Sequence, residues 1–209
     1  GNATMVDADG LLKWAPHNLQ SYSEDFTNAV WSKNTSSITS NAITAPDGTL
    51  TADKLVENTT TGQHSVFDII SVAAGFTYTN TVFVKASERS DVVVAFSGTS
   101  LGFPSFDYRR AEFDLSLGTV TFTPTDGSAS ITDVGNGWYL CSITITPLAS
   151  GDPQFGIFTS RGVGDYTYLG DGTSGIYIWG AHHYRSDLGG MVNNPATGDS
   201  YVPTTDAAR

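Results

Sequence analysis

The chain has 209 residues, enough for one large β domain that buries a core without disulfide or metal. Its 21 Asp and Glu against 10 Lys and Arg leave a net charge of −11, and no basic cluster is present, so nucleic acid is excluded as a partner. No stretch approaches the ~20 apolar residues of a membrane span. Residues 1–7 show no positive segment followed by an apolar run, so no signal peptide is read there.

In chain order, residues 1–17 form an expected N-terminal arm. Its apolar Leu11, Leu12 and Trp14 stand outside any strand rhythm and are wasted in a free linker, so they are read as assembly anchors. Over 25–31, Phe26, Ala29 and Val30 offer one or two helical turns at most. From there, period-two alternation dominates, over 63–72, 77–86, 91–97, 111–114, 119–123, 129–134, 138–147, 154–160 and 175–184. Turn-forming residues bound each run. The triplet Gly135, Asn136 and Gly137 signals a tight hairpin, 115–118 a second, and 170–175 a loop entering the last long strand. Residues 185–209 form an expected C-terminal arm in which Met191, Val192 and Tyr201 are isolated apolar points, Tyr201 a further anchor. Many short strands with no alternating helices predict an all-β, two-sheet antiparallel β-sandwich over 18–184.

Several stretches carry a resemblance. Residues 18–31, with Glu24, Asp25, Phe26 and Trp31, resemble the opening of carbohydrate-binding modules with a Ca2+-containing jelly roll. Residues 73–86, ending in Lys85 and Ala86, resemble a turn and strand of those modules, and 137–145 and 175–181 resemble their later and closing strands. Six ordered phrases, at 22–26, 45–48, 51–55, 133–138, 170–175 and 201–205, together with 185–191, are similar to wording in bacteriophage structural proteins of tail fibres, spikes and capsid surfaces. The resemblance implies a jelly roll displayed on a virion, extracellular after lysis, with other virion proteins and further copies of itself as partners and a glycan as ligand. The accessory glycan-binding module of a secreted polysaccharide-degrading enzyme is the alternative, and a pure structural cement without ligand a third.

Sugar binding needs aromatic faces with polar side chains to read hydroxyls. Two loop clusters are candidates: Phe103, Phe106, Asp107, Tyr108 and Arg109, followed by Arg110, and Tyr166 with Tyr168 beside Asp165. The tryptophans Trp31, Trp138 and Trp179 lie in or beside strands and are read as core. The resemblance assigns a structural Ca2+ to acidic residues near the first strand, here Glu24 and Asp25. The closing strand departs from that pattern, with His182 and His183 where an Asp is expected, and imidazole is a poor Ca2+ ligand. Adjacent strand residues face opposite ways, so the pair is badly placed to chelate one ion, and one histidine is expected buried and the other exposed. His17 and His64 are far away in sequence. Asp171 reads as a turn residue and Cys141 as a small buried thiol. No nucleophile elbow, metalloprotease helix or phosphate loop appears, so no enzyme is predicted, and no cofactor beyond structural Ca2+ is implied.

Overall fold

A computed structural model describes residues 4–6, 10–188 and 201–208; residues 1–3, 7–9, 189–200 (with Met191 and Val192) and 209 lie outside the described residues. The first half of the chain forms β1 (Thr4–Val6), β2 (Leu12–Trp14), β3 (Ser32–Asn34), β4 (Ser36–Ile43), β5 (Ala52–Glu57), β6 (Thr61–Gly62), β7 (Ser65–Ile69) and β8 (Tyr78–Ala86). The second forms β9 (Asp91–Ser97), β10 (Arg110–Asp114), β11 (Thr119–Phe122), β12 (Ser128–Gly135), β13 (Trp138–Ile145), β14 (Gln154–Ser160), β15 (Tyr168–Leu169) and β16 (Gly175–Arg185). Two six-stranded antiparallel sheets result, ordered β11-β10-β9-β14-β7-β3 and β12-β13-β8-β16-β5-β4. Packed face to face, they make the expected β-sandwich of the jelly-roll kind.

The runs of alternating hydrophobicity become strands. Seven strands, β1–β6 and β15, fall outside those runs. In β5 the inward side chains are Asp53, Leu55 and Glu57, and the two buried carboxylates hide the apolar face from a hydrophobicity reading. Residues 25–31 are not a helix. They form successive turns closed by Asn28 N–H to Asp25 O (3.3 Å) and Trp31 N–H to Asn28 O (3.2 Å). The Lys33 ammonium holds them by donating to the carbonyls of Thr27, Asn28 and Trp31.

Between the sheets, Val92, Val94, Phe96, Ala111, Phe113, Phe155 and Ile157 of the first meet Leu55, Val82, Val84, Cys141, Ile143, Ile176 and Ile178 of the second. Full burial pushes the Cys141 thiol far above its ordinary range, which leaves it unreactive. Phe26 and Trp31 join this core, their rings 4.8 Å apart.

A second apolar layer covers the outer face of the second sheet. Ala45, Ala52, Phe83, Trp138 and Trp179 form it, with Tyr177 and Tyr201 packed against it. Tyr201 thus lies on its own chain, 5.1 Å from the Trp179 ring and 5.8 Å from Phe83. The segment around it is tied down by Tyr22 N–H to Thr205 O (2.6 Å), Thr204 Oγ1 to Gln20 O (2.6 Å) and Tyr201 Oη to Glu24 (3.0 Å). Beneath it, β16 carries a bulge at Gly180, whose φ of +63° suits glycine. A Cβ there meets Phe83 Cδ2 at 2.9 Å. The bulge resets the alternation, so Trp179 and His182 face outward while Ala181 and His183 face the core.

One histidine of the pair was expected to be exposed, and here the structure corrects the sequence reading: both are buried, because residues 17–20 and 201–204 cover the outer one. His182 Nε2 donates to His17 O (2.8 Å), and His183 Nδ1 donates to Asn80 Oδ1 (2.7 Å). His17 in turn accepts the Arg185 N–H at Nε2 (3.1 Å), which only a neutral ring can do. Burial lowers His182 to about 4 and His183 to about 3, below their unfolded value near ~6.5. Their stabilisation is complete above pH ~6.5 and is lost as pH falls toward those values. Asp53, raised by burial to about 6, acts with opposite sign, as do Glu24, Asp68 and Asp91, also raised by burial, while His17, lowered by burial, adds to the two imidazoles. Unfolding free energy measured by denaturant titration is therefore expected to fall steadily from pH 6.5 to 4.5. His183→Leu should flatten that slope, and an unchanged slope would contradict the assignment.

Candidate functional site

The two aromatic loop clusters converge, but most of their groups are committed to the fold. Phe103 is buried and stacks on Tyr108 at 5.5 Å between near-parallel rings. Arg109 is buried, donates from Nη1 to Phe96 O (2.8 Å) and lies 5.3 Å from the Phe106 ring centroid. Phe106 meets Tyr166 edge to face at 5.9 Å, and both pack on Val93, Ala95 and Phe158 of the first sheet's outer face. Arg110 is held between Phe122 (3.9 Å) and Tyr166 (5.3 Å), paired with Asp107 (3.0 Å) and Glu112. Of the polar side chains read as hydroxyl readers here, only Asp107 is substantially exposed.

Tyr168 belongs to a different site. Its hydroxyl donates to Glu57 Oε2 (2.7 Å) and lies 2.6 Å from Thr159 Oγ1, while Arg89 grips the same carboxylate through Nε (2.9 Å) and Nη2 (2.6 Å). Asp171 N–H adds a further bond to Glu57 (2.8 Å). Burial alone raises Glu57, yet the Arg89 and Tyr168 bonds hold it below its ordinary value. The Asp171 side chain closes its own turn onto Thr173 and Ser174, as expected of a turn residue.

Glu24 and Asp25 have separate partners. Glu24 accepts from Tyr201, and Asp25 accepts from Thr27 N–H (3.1 Å) and its hydroxyl. Among the described residues, no group of three or more His, Cys, Asp or Glu side chains is arranged to hold a metal ion. The buried carboxylate of this region is Asp53, which accepts from Phe26 N–H (3.1 Å) and Asn41 N–H (2.9 Å) and so fixes the turn entering the core to β4.

What the sandwich does present is a cleft of about 500 Å3 on the outer face of the second sheet, lined by Ile43, Thr44, Ala45, Lys85, Asn136, Trp138 and Tyr177. Antiparallel register builds its floor: Trp138 of β13 opposes Lys85 of β8, and Lys85 opposes Tyr177 of β16. Residues 43–45 arch over the face as one wall, latched by Trp138 Nε1 to Thr44 O (3.2 Å). The β12–β13 hairpin is the other end. Its Asn136 takes φ +54° between two positive-φ glycines, and its carbonyl accepts from Lys85 Nζ (2.7 Å). Trp138 is almost fully buried and forms the deep wall, so the half-buried Tyr177 ring is the accessible platform. Asn136 and Thr44 are exposed at the rim. Its lining mixes polar groups (Thr44, Lys85, Asn136) with apolar surface (Ile43, Ala45 and the Trp138 and Tyr177 rings), a concavity with polar groups converging on an aromatic face. Sequence reading assigned Trp138 to core and Asn136 to a turn and passed over Tyr177. Only cross-strand register joins them.

The structure is a jelly-roll β-sandwich with a cleft on the outer face of one sheet. The sequence matches no family model and no curated protein. Among solved structures it is similar to the enzymatically active domain of tailspike protein 4 from bacteriophage CBA120, at 13% identity and a TM-score of 0.44, over 80% of this chain and 21% of that one. It is also similar to TmCBM27, a carbohydrate-binding module of specific mannan recognition, at 10% identity and a TM-score of 0.35, over 79% of this chain and 94% of that one. The chain spans about a fifth of the tailspike chain, and likenesses this distant transfer neither activity nor ligand.

Tyr168 offers a direct check on its structural assignment. Tyr168→Phe strips a donor from buried Glu57 and a partner from buried Thr159, at a cost of about 1–3 kcal/mol. Thermal unfolding should show a lower melting temperature, and an unchanged one would return Tyr168 to the ligand-binding candidates.

Proposed function

We propose that this chain is a non-catalytic surface protein of a phage virion whose jelly roll binds a glycan in the cleft floored by Lys85, Trp138 and Tyr177. The observation that carries the reading is the composition of that cleft: a partly exposed tyrosine ring beside amide, hydroxyl and ammonium groups, with no carboxylate or thiol among the described residues that line it. Glycoside cleavage needs two carboxyl groups flanking the bond, and this cleft supplies none. Stacking of the apolar face of a pyranose on Tyr177 turns its hydroxyls toward Asn136, Thr44 and Lys85. Placement on a virion is supported by the ordered phrases from Tyr22 to Thr205.

The paired strands β1 and β2 favour virion display over a free accessory module. Thr4 pairs with Trp14 and Val6 with Leu12, and Val6, Leu11 and Leu12 are largely exposed. Such an apolar hairpin suits contact with a neighbouring subunit.

Two experiments test the proposal. Tyr177→Ala should abolish retention on a glycan array while the protein stays folded, because the partly exposed ring sits at the edge of the second apolar layer and outside the core between the sheets. Binding that survives the substitution removes the cleft from consideration. Deleting residues 1–14 should leave a folded monomer in place of an assembly by light scattering, and an oligomer of unchanged size would assign assembly to another surface.

A further inference from the structure

We infer that the cleft selects an anionic pyranose, one bearing a carboxylate or sulfate ester, through Lys85; the inference rests on the glycan-binding reading above. Acidic side chains outnumber basic ones by 21 to 10 in this chain, so a cation without a carboxylate partner is unexpected. Among the described residues, Lys54, Arg89, Arg110, Arg161 and Arg185 are each ion-paired. Lys33 gives its ammonium to three carbonyls, and Arg109 is buried against Phe96 O. Lys85 differs from all of them. It donates once, to Asn136 O, and lies in a cleft with no carboxylate among the described residues that line it. Two of its three N–H groups remain for a ligand.

The register sets the geometry of recognition. Trp138, Lys85, Tyr177 and Lys54 follow one another across β13, β8, β16 and β5 in a single outward row. Strands are spaced by ~4.8 Å, so a pyranose stacked on Tyr177 has Lys85 one strand away, within reach of a ring substituent. On the far side of Tyr177, Lys54 lies 5.9 Å from the ring centroid, but Glu88 neutralises it at 2.7 Å. The row therefore offers one free positive charge, on the Trp138 side of the platform. The distant acidic surface opposes an anion weakly, because charges beyond about 8 Å are screened at physiological salt. A charge-assisted hydrogen bond at the end of a stacked ring decides the preference instead.

The test compares neutral oligogalactosides with oligogalacturonate and sulfated oligogalactan of equal length, by calorimetry on the intact protein at low and physiological salt. Both anionic ligands should bind at least ~10-fold tighter than the neutral one, with the advantage shrinking as salt rises. Lys85→Met keeps the apolar stem and should erase that advantage while leaving the weak neutral affinity. If Lys85→Met does not fold, the salt titration of the unaltered protein decides the question. Equal affinity for neutral and anionic ligands, lost in Tyr177→Ala, overturns the charge selectivity and leaves the glycan reading intact. Anionic binding that Lys85→Met does not change also overturns it. No binding by any of the three ligands at millimolar concentration overturns both.

Discussion

From Gly175 to His183, strand β16 is buried on both faces at every residue but Tyr177. Its inward side chains, Ile176, Ile178, Ala181 and His183, pack into the sandwich. Its outward ones, Trp179 and His182, pack under Tyr201. An antiparallel sheet usually leaves one face to water. Here the 43–51 connection and residues 201–205 come back over that face, and the aromatic layer of Phe83, Trp138 and Trp179 gives them an apolar bed. Tyr177 is the residue of this face left partly open, in the cleft between residues 43–45 and the β12–β13 hairpin.

The same double burial explains the buried polar groups. A strand covered on both sides cannot send a polar residue to solvent, so each must find a partner inside. His182 takes the His17 carbonyl, His183 takes Asn80, and Asn18 reaches Ala181 O (3.0 Å) and Val202 O (2.8 Å). These bonds stitch both ends of the domain to its central strand. Burial disfavours the charged form of His182 and His183, and the Arg185 N–H that His17 accepts at Nε2 requires a neutral ring, which makes the join sensitive to acid.

Charge is distributed with a consistent economy. Glu57 satisfies Arg89, Tyr168 and the backbone of Asp171, while Arg110 is enclosed by Asp107, Glu112, Phe122 and Tyr166. Loop residues that look like ligand readers are thereby consumed by the fold. In the cleft, by contrast, Lys85, Asn136, Thr44 and Tyr177 have no ion-pair partner among the described residues. A low-carboxylate cleft in a strongly acidic protein is a local departure from its surroundings, and the binding proposal draws on that contrast.

The sequence by itself determined the fold class and nine of the strands, because alternation in segments such as 91–97 and 138–145 reports a sheet with one face buried. It also located the 135–137 hairpin, whose conformation only Asn and Gly adopt readily. It did not reveal β5, since Asp53 and Glu57 point inward as paired carboxylates, nor the burial of both His182 and His183, which depends on residues 17–20 and 201–204 closing over β16. The candidate cleft was illegible for a related reason. Trp138, Lys85 and Tyr177 lie on three strands distant in sequence, and their adjacency is a matter of register, which local pattern does not encode. Strand character follows from neighbouring residues along the chain. Which side chains share a row, and which remain uncovered, is decided only when sheets pair and distant segments fold back over them.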